Sequence, residues 1–260
     1  MKKISIAIPT FNSSKYLRQC IRGFTLSRNI GEIVILDDGS EDRDFYKINQ
    51  IVEKESKINN VPIQLFKNEN NKGAFRNKYE VIEKCNYDIV YQIDSDNIPG
   101  TNISKVIDKI VKTMNHNYIY YPSRLYQFRK FFFLSQFNRS KQVRFVSKST
   151  ELEIDDVQSS LIKKNNLIED KHIGWVLNCG NFLVNKNLFL SNMKEGLETD
   201  DLLSSDAVAI SYYWLKNGGK IYLDKEHYHF HRKRWDSVSF TEGDNSKISA
   251  DLFFDKILEL

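Results

Sequence analysis

The clearest indication of the fold is the segment Ile4-Ser5-Ile6-Ala7-Ile8-Pro9-Thr10-Phe11-Asn12. Its isoleucines recur at every second position, which is the period of a β-strand, and polar residues follow where the strand ends. The same succession of strand, polar loop and helix then recurs through residues 1–100. This alternation predicts an α/β fold with a parallel sheet covered by crossover helices.

The predicted elements of this half follow the order βαβαβαβ. Further strands are predicted at 33–36, 63–66 and 88–93, and helices after Ser13 or Ser14, at 45–57 and after Gly73. In such sheets ligands bind beyond the carboxyl ends of the strands. We therefore expect the ligand site in the polar loops at 9–12, 37–40, 68–73 and 94–97.

The second half has weaker periodicity. A long aromatic and basic segment runs from about Tyr118 to Lys171 without a clear repeat, and we interpret it as an irregular, variable insertion. Regular signals return with a predicted strand at 182–184, a helix from Asp206 to Lys216 and a strand at 221–223.

Composition favours one large core, because 41% of the 260 residues are apolar. No apolar run approaches the roughly 20 residues that cross a bilayer, and the N-terminal residues indicate a strand rather than a secretory signal. We therefore expect a cytoplasmic protein. The three cysteines lie far apart, form no CxxC pair and are expected to be reduced core residues: Cys20, Cys85 and Cys179.

The net charge of +4 is too modest to indicate a nucleic-acid partner. Its distribution is uneven, since residues 118–150 contain no acidic side chain while basic residues alternate with aromatic ones. This segment faces either water or something anionic. We favour an acceptor site or a peripheral contact of residues 124–148 with an anionic membrane, at its inner face, over nucleic-acid binding.

Asp94 and Asp96 follow a predicted buried strand, and an extended backbone points both carboxylates to the same side. Two such charges repel, whereas Mg²⁺ or Mn²⁺ binds carboxylate oxygens and completes its shell with phosphate and water. The pair therefore predicts a metal site. The alternative is a turn that caps a helix starting after Pro99.

Two further loops carry candidate ligand-binding side chains. Asp37 and Asp38 end the second strand, where a carboxylate can accept hydrogen bonds from a ribose hydroxyl or a base, although Asp-Gly is also an ordinary turn signal. Gly73 opens a helix in which Arg76 can bind a diphosphate, helped by the positive helix N-terminus. A solvated surface arginine is the alternative.

Four motifs together resemble a known family, the family 2 glycosyltransferases of the GT-A fold. They are Ala7-Ile8-Pro9-Thr10-Phe11-Asn12, Val34-Ile35-Leu36-Asp37-Asp38-Gly39-Ser40, Asn71-Lys72-Gly73 with Arg76-Asn77, and Ile93-Asp94-Ser95-Asp96. Each is weak evidence alone, but the ordered set is specific and covers residues 3–100. The resemblance implies a Rossmann-like three-layer sandwich with a mostly parallel sheet and a C-terminal acceptor-side extension.

The resemblance also implies an activity, which is the inverting transfer of a sugar from a nucleotide diphosphate-sugar to an acceptor hydroxyl with Mn²⁺ or Mg²⁺. Residues 1–100 would form the nucleotide-sugar half, and 101–260 the acceptor and catalytic-base half of the same domain. The expected acceptor is a carbohydrate or a lipid-linked molecule. Asp94 and Asp96 would hold the metal, and the implied donor-binding residues are Pro9, Thr10, Phe11, Asn12, Asp37, Asp38, Gly73, Arg76, Asp94, Ser95, Gly180 and Asn181.

A weaker match lies in the second half. Cys179-Gly180-Asn181-Phe182 is similar to the strand that walls the sugar site in this family, and Ser204-Ser205-Asp206 is similar to its acidic helix start, with Ser205 in place of the first acidic residue. The resemblance makes Asp206 the candidate catalytic base, with Asp200 or Asp201 as the fallback. Asp206 as a simple helix N-cap is the rival interpretation.

His227, His229 and His231 alternate, so on a strand they would share one side and could face a metal or a phosphate. Either His229 or His231 reaches the metal, or the group lies on a solvated edge strand. A zinc site is disfavoured because no cysteine is nearby.

Two other functions compete with the transferase. The first is a catalytically inactive nucleotide-sugar-binding protein of the same fold, suggested by Ser205. The second is a protein whose segment 124–148 binds nucleic acid or a membrane surface.

Overall fold

The computed structural model describes residues 2–24, 28–128, 141–163, 173–199, 205–233 and 243–260. Asp200, Asp201 and the basic and aromatic residues at 129–140 lie outside these ranges. The chain forms two compact units, Met1–His116 with Asn181–Ser191 and Asn117–Gly180 with Asn192–Leu260. The first unit thus continues past residue 100 and also includes the later segment Asn181–Ser191. That both halves belong to one domain stays a prediction.

Strands and helices alternate as far as β4, and later strands also follow one another directly. The strands are β1 Ile4–Thr10, β2 Ile30–Asp37, β3 Ile63–Lys67, β4 Ile89–Gln92, β5 Ile98–Pro99, β6 Tyr118–Phe128, β7 Lys141–Arg144, β8 Thr150–Leu152, β9 Phe182–Asn185 and β10 Lys220–Arg232. The helices are α1 Ser14–Arg22, α2 Asp42–Ile58, α3 Ala74–Glu83, α4 Ile103–Thr113, α5 Ile154–Lys163, α6 Gly174–Leu177, α7 Lys186–Met193, α8 Asp206–Lys216 and α9 Gly243–Leu258, with a 3-10 turn at Lys194–Glu198.

The first unit is built on a sheet in the order β3-β2-β1-β4-β9. The first four of these strands run parallel, as predicted, and β9 runs antiparallel to β4. Thr10 lies opposite Asp37, and Asp37 lies opposite Lys67. Because these strand ends are level, the loops that follow them emerge at one edge of the sheet.

Burial explains why these segments become central strands and covering helices. Every residue of β1 is buried, as expected for a strand with neighbours on both sides and helices above it. On α1 the buried positions Leu17, Cys20 and Ile21 form one face. All three cysteines are buried and free, which confirms that they are reduced core residues.

The second unit pairs β6 with β10 in parallel, β7 with β6 and β8 with β10 in antiparallel. The interpretation of the segment after Tyr118 as irregular was therefore wrong for its first part, since Tyr118–Phe128 is an 11-residue strand. Its aromatic side chains pack on those of β10, as Tyr126 does on Tyr228 and Phe230, with ring centroids 5.4 Å apart. The partner strand lies some hundred residues later, which local periodicity does not reveal.

The long strand β10 continues from the predicted short strand through the histidine cluster, with an irregularity between Asp224 and Tyr228. It pairs with β6 at 220–224 and 228–232, and with β8 at 221–223. His227 and His229 are buried, whereas His231 is half-buried. Burial argues against a solvated strand at the first two histidines, and a contact of His229 or His231 with the metal stays a prediction. Helix α8 has the predicted bounds, and residues 207–215 within it are all buried.

Within the described ranges, the structure contains no helix with the length and apolar character needed to span a bilayer.

Candidate active site

The loops after β1 and β2 are joined by hydrogen bonds at the shared edge of the sheet. The backbone N–H of Asp38 donates to the carbonyl of Thr10 at 2.9 Å, and the backbone N–H of Asn12 donates to Ser40 Oγ at 2.8 Å. Asn12 has a φ of 46°, which is a left-handed conformation that asparagine tolerates. Between these contacts Phe11 stays 40% exposed, and its predicted contact with a nucleotide stays a prediction.

Asp37 stabilises the turn that follows β2. It is fully buried, and its two carboxylate oxygens accept hydrogen bonds from the backbone N–H of Ser40 at 3.0 Å and from the Ser40 hydroxyl at 2.5 Å. Burial raises the pKa of Asp37, while the Ser40 hydrogen bonds oppose that rise. The structure thus gives this residue a role in the turn, and its predicted contact with a nucleotide stays a prediction.

Asp38 connects the β2 loop to the start of α3. Its Oδ1 accepts hydrogen bonds from Asn68 Nδ2 and from the backbone N–H of Lys72, and its Oδ2 accepts one from the backbone N–H of Gly73, each at 3.0 Å. One buried carboxylate therefore fixes the course of the loop 68–73. Hydrogen bonds to a charged acceptor are among the stronger ones in proteins.

Helix α3 begins directly beside this carboxylate. Gly73 precedes it with a φ of 88°, a value that side chains rarely adopt, and Arg76 is exposed in its first turn. The N-terminal end of a helix carries a partial positive charge. The predicted arginine and the helix N-terminus therefore lie together at the sheet edge, next to the Asp38 loop.

Asp94 lies farther along the same edge, after β4. Its Oδ1 is 2.9 Å from Lys78 Nζ and 3.2 Å from Gln92 Nε2. Its backbone N–H donates to Asn181 Oδ1 at 3.0 Å, and Asn97 Nδ2 donates to the same oxygen at 3.4 Å. Asn181, predicted to bind the donor, thus supports the Asp94 loop from the position just before β9, which pairs with β4.

The carboxylates that could hold a metal are those of Asp94 and Asp96. Both are half-buried, whereas Ser95 between them is buried. Across the described part of the chain, no three His, Cys, Asp or Glu side chains gather as a metal site would require. Two carboxylates suit Mg²⁺ or Mn²⁺, which takes its remaining ligands from phosphate and water, and do not suit a closed zinc site.

The family comparison adds to this geometry. The glycosyl transferase family 2 model matches residues 5–189, which is more than half of the chain and includes the four loops at the sheet edge. The chain belongs to glycosyl transferase family 2.

Among curated proteins, this family member is 30% identical over 116 residues to an "uncharacterized glycosyltransferase" of Haemophilus influenzae. The match covers 44% of the chain and 42% of that relative, so the chain spans less than half of its length.

Solved structures show the fold. Staphylococcus aureus TarS 1-349 in complex with UDP-GlcNAc matches with a TM-score of 0.60 at 17% identity, covering 98% of this chain and 66% of that one. GalNAc-T7 with UDP, GalNAc and Mn²⁺ matches with a TM-score of 0.62 at 15% identity, covering 90% of this chain and 44% of that one. This family 2 chain has the α/β GT-A fold, as the motifs implied.

The remaining predicted site residues of the family 2 chain lie in the second unit. Asp206 is the half-buried first residue of α8, and Ser205 occupies the N-cap position, so Asp206 is not itself the N-cap. The rings of His229 and His231 are 5.9 Å apart, and Gly180 is half-buried. Burial lowers the pKa of His229 well below its ordinary value, and the neighbouring His231 and His227 lower it further. His229 is therefore neutral at pH 7.

Sequence reasoning missed two side chains of the site, Lys78 and Gln92, and included Asn68 only as part of the loop 68–73. Asn68 and Gln92 bond to the aspartates from neighbouring loop and strand positions. Lys78 follows Arg76-Asn77 by one residue and resembles any other helical lysine in sequence. The signal that could have found it is its place on the apolar face of α3, between Phe75 and Val81, which are both buried.

Proposed function

We propose that the chain transfers a sugar from a nucleotide diphosphate-sugar to an acceptor hydroxyl with inversion at the anomeric carbon. The observation that carries the proposal is the arrangement at one sheet edge, where Asp38 fixes the loop before α3 and Lys78 of α3 pairs with Asp94. Membership of the family and the GT-A fold support it.

The donor would bind along this edge. Phe11, which is exposed, would contact the base, and the loop organised by Asp38 would contact the nucleoside. Arg76 and the N-terminus of α3 would face the diphosphate. TarS and GalNAc-T7 are solved with UDP or UDP-GlcNAc, which favours a uridine nucleotide as the first donor to test.

Asp94 and Asp96 would hold a divalent cation, Mn²⁺ or Mg²⁺, as the Mn²⁺ in the GalNAc-T7 structure suggests. When bound, such a cation stabilises negative charge on a leaving diphosphate. The side chains of the chain itself would orient the donor, and Lys78 and Gln92 would keep the Asp94 carboxylate in one position.

Inversion requires a base on the face opposite the leaving group. Asp206 is the proposed base, which would accept the proton of the acceptor hydroxyl as it attacks the anomeric carbon. It is the half-buried first residue of α8, directly after the N-cap Ser205.

The acceptor and any membrane contact are proposed to involve the basic part of the second unit. Lys141 and Lys148 are exposed, whereas Arg124 lies over the Tyr228 ring at 5.2 Å and is half-buried. Reversing both exposed charges, in Lys141→Glu with Lys148→Glu, is expected to abolish salt-sensitive binding to anionic liposomes. Equal binding of the wild type and the double variant to the liposomes would contradict a membrane contact through these lysines.

The test of the function is a panel of UDP-, GDP- and dTDP-sugars with Mn²⁺, measured by donor binding and by release of nucleotide diphosphate. Asp206→Asn is expected to lower turnover by about 10² to 10⁴ while donor affinity is kept. Asp42→Asn, which removes the exposed acid at the start of α2, is the matched control and should leave turnover unchanged. Absence of binding to any nucleotide sugar would overturn the proposal.

A second candidate is a binding protein without catalysis, which Ser205 favours because it occupies the N-cap where the family's acidic helix start would place a carboxylate. It predicts donor binding without turnover and no effect of Asp206→Asn.

A further inference from the structure

Lys78 is a buried cation inside the candidate site. Its side chain is only 6% exposed, and its Nζ lies 2.9 Å from Asp94 Oδ1. An ammonium group removed from water is costly unless a charged partner compensates it. Asp94 is that partner, so the acidic loop and the buried lysine depend on each other.

Two donors hold the Asp94 carboxylate at one oxygen. Lys78 and Gln92 both bond to Oδ1, at 2.9 and 3.2 Å. The Asp94 side chain is nevertheless 32% exposed. A ligand therefore meets a carboxylate that is already paired with a cation.

We propose that Lys78 is a positioning residue that holds the Asp94 carboxylate in one orientation and lowers the affinity of the site for a divalent cation. The inference rests on the proposed function, in which Asp94 and Asp96 hold the metal. The ammonium cancels the charge of one of the two carboxylates and repels an incoming cation. A free cation then binds weakly, and the phosphates of the donor supply the missing negative charge, so metal and donor bind together.

The variant that tests this is Lys78→Met, because methionine keeps an apolar stem in the buried path and removes the charge. Binding of Mn²⁺ alone, followed by electron paramagnetic resonance or calorimetry, is expected to be about tenfold tighter than in the wild type, since one repelling charge a few ångströms away is lost. Lys78→Gln is a second uncharged variant that should shift the affinity in the same direction. UDP is expected to increase the Mn²⁺ affinity of both variants by a smaller factor than it does in the wild type.

Lys84→Met is the matched control, since Lys84 is an exposed lysine at the C-cap of the same helix, where it lies over the Phe66 ring at 4.7 Å. It removes the same net charge and should leave Mn²⁺ affinity unchanged. Circular dichroism verifies that each variant is folded, and Asp96→Asn identifies the site by weakening Mn²⁺ binding.

The outcomes separate this inference from the function on which it rests. If the wild type binds Mn²⁺ and both Lys78 variants bind it with equal or weaker affinity, the role of Lys78 is overturned and the transferase proposal stays intact. No Mn²⁺ binding by any of the proteins, with or without UDP, overturns the metal-dependent function and the inference with it. Tighter binding in Lys84→Met as well would show a general charge effect and also overturn the role of Lys78.

Discussion

Asp38 Oδ2 accepts a hydrogen bond from the backbone N–H of Gly73 at 3.0 Å, across 35 residues of sequence. The same carboxylate accepts a bond from the N–H of Lys72 through Oδ1. Two successive backbone donors thus point at one side chain, and the end of β2 determines where α3 begins. The loops at this edge form one hydrogen-bonded structure, which several variants can test.

Asp38→Asn is expected to loosen the loop 68–73, because an amide has a single acceptor oxygen and its NH₂ group would face an N–H donor. We expect a loss of about 1 to 3 kcal/mol in the free energy of unfolding and a weaker affinity for UDP. Urea unfolding measures the free energy of unfolding, and calorimetry measures the affinity for UDP. The surface variant Asp42→Asn should change neither, and an Asp38→Asn protein that kept wild-type stability would contradict the structural role of Asp38.

Gly39 lies against the loop before α3, with a φ of 71°. A Cβ at this position would lie 2.7 Å from the backbone carbon of Asn70. Gly39→Ala therefore adds a clash with backbone to the ordinary strain of a left-handed alanine, which is about 1 kcal/mol. Gly218→Ala is the control, since Gly218 has a φ of 75° and open space around it. Gly39→Ala is expected to lose more stability and more UDP affinity than Gly218→Ala, and the difference measures the contact of Gly39 with the Asn70 backbone. Equal losses in the two variants would exclude an effect of that contact.

Asp94→Asn is expected to lower stability as well as ligand binding, because it leaves the buried Lys78 ammonium without its carboxylate. Since Asp94 is partly exposed, the expected loss is about 1 to 3 kcal/mol, below the usual range for a fully buried pair. The double variant Lys78→Met with Asp94→Asn should recover most of it. A double-mutant cycle in urea gives the coupling, and additive losses would mean that the pair contributes nothing.

His227 makes stability depend on pH. Burial lowers its pKa to about 4, partly opposed by the charge of Asp224. The unfolded chain therefore takes up a proton on this residue first as the pH falls, so stability is present above pH 6.5 and is lost between about pH 6.5 and 4, by about 3 kcal/mol. His227→Gln should reduce the pH dependence of the free energy of unfolding, and the part that remains includes His229, whose pKa is also lowered by burial. His116→Gln, at an exposed histidine, should keep the wild-type slope.

The first half of the fold could be predicted because its strands carry local patterns. The isoleucines of β1 and the polar loops after each strand predicted the parallel sheet, and the bounds of α8 followed from its flanking serines and glycines. Strand β6 was missed because its aromatic side chains pack on β10, so the partner that explains them is remote in sequence.

Residue type and spacing along the chain are enough to identify the family, the order of the motifs and the aspartates that could carry chemistry. How each aspartate is used depends on the folded chain. Asp37 turns inward to Ser40, Asp38 binds the backbone of another loop, and Asp94 pairs with a buried lysine. Spacing along the chain does not encode which donors approach a carboxylate from other elements, and only the folded sheet edge brings them within hydrogen-bonding distance.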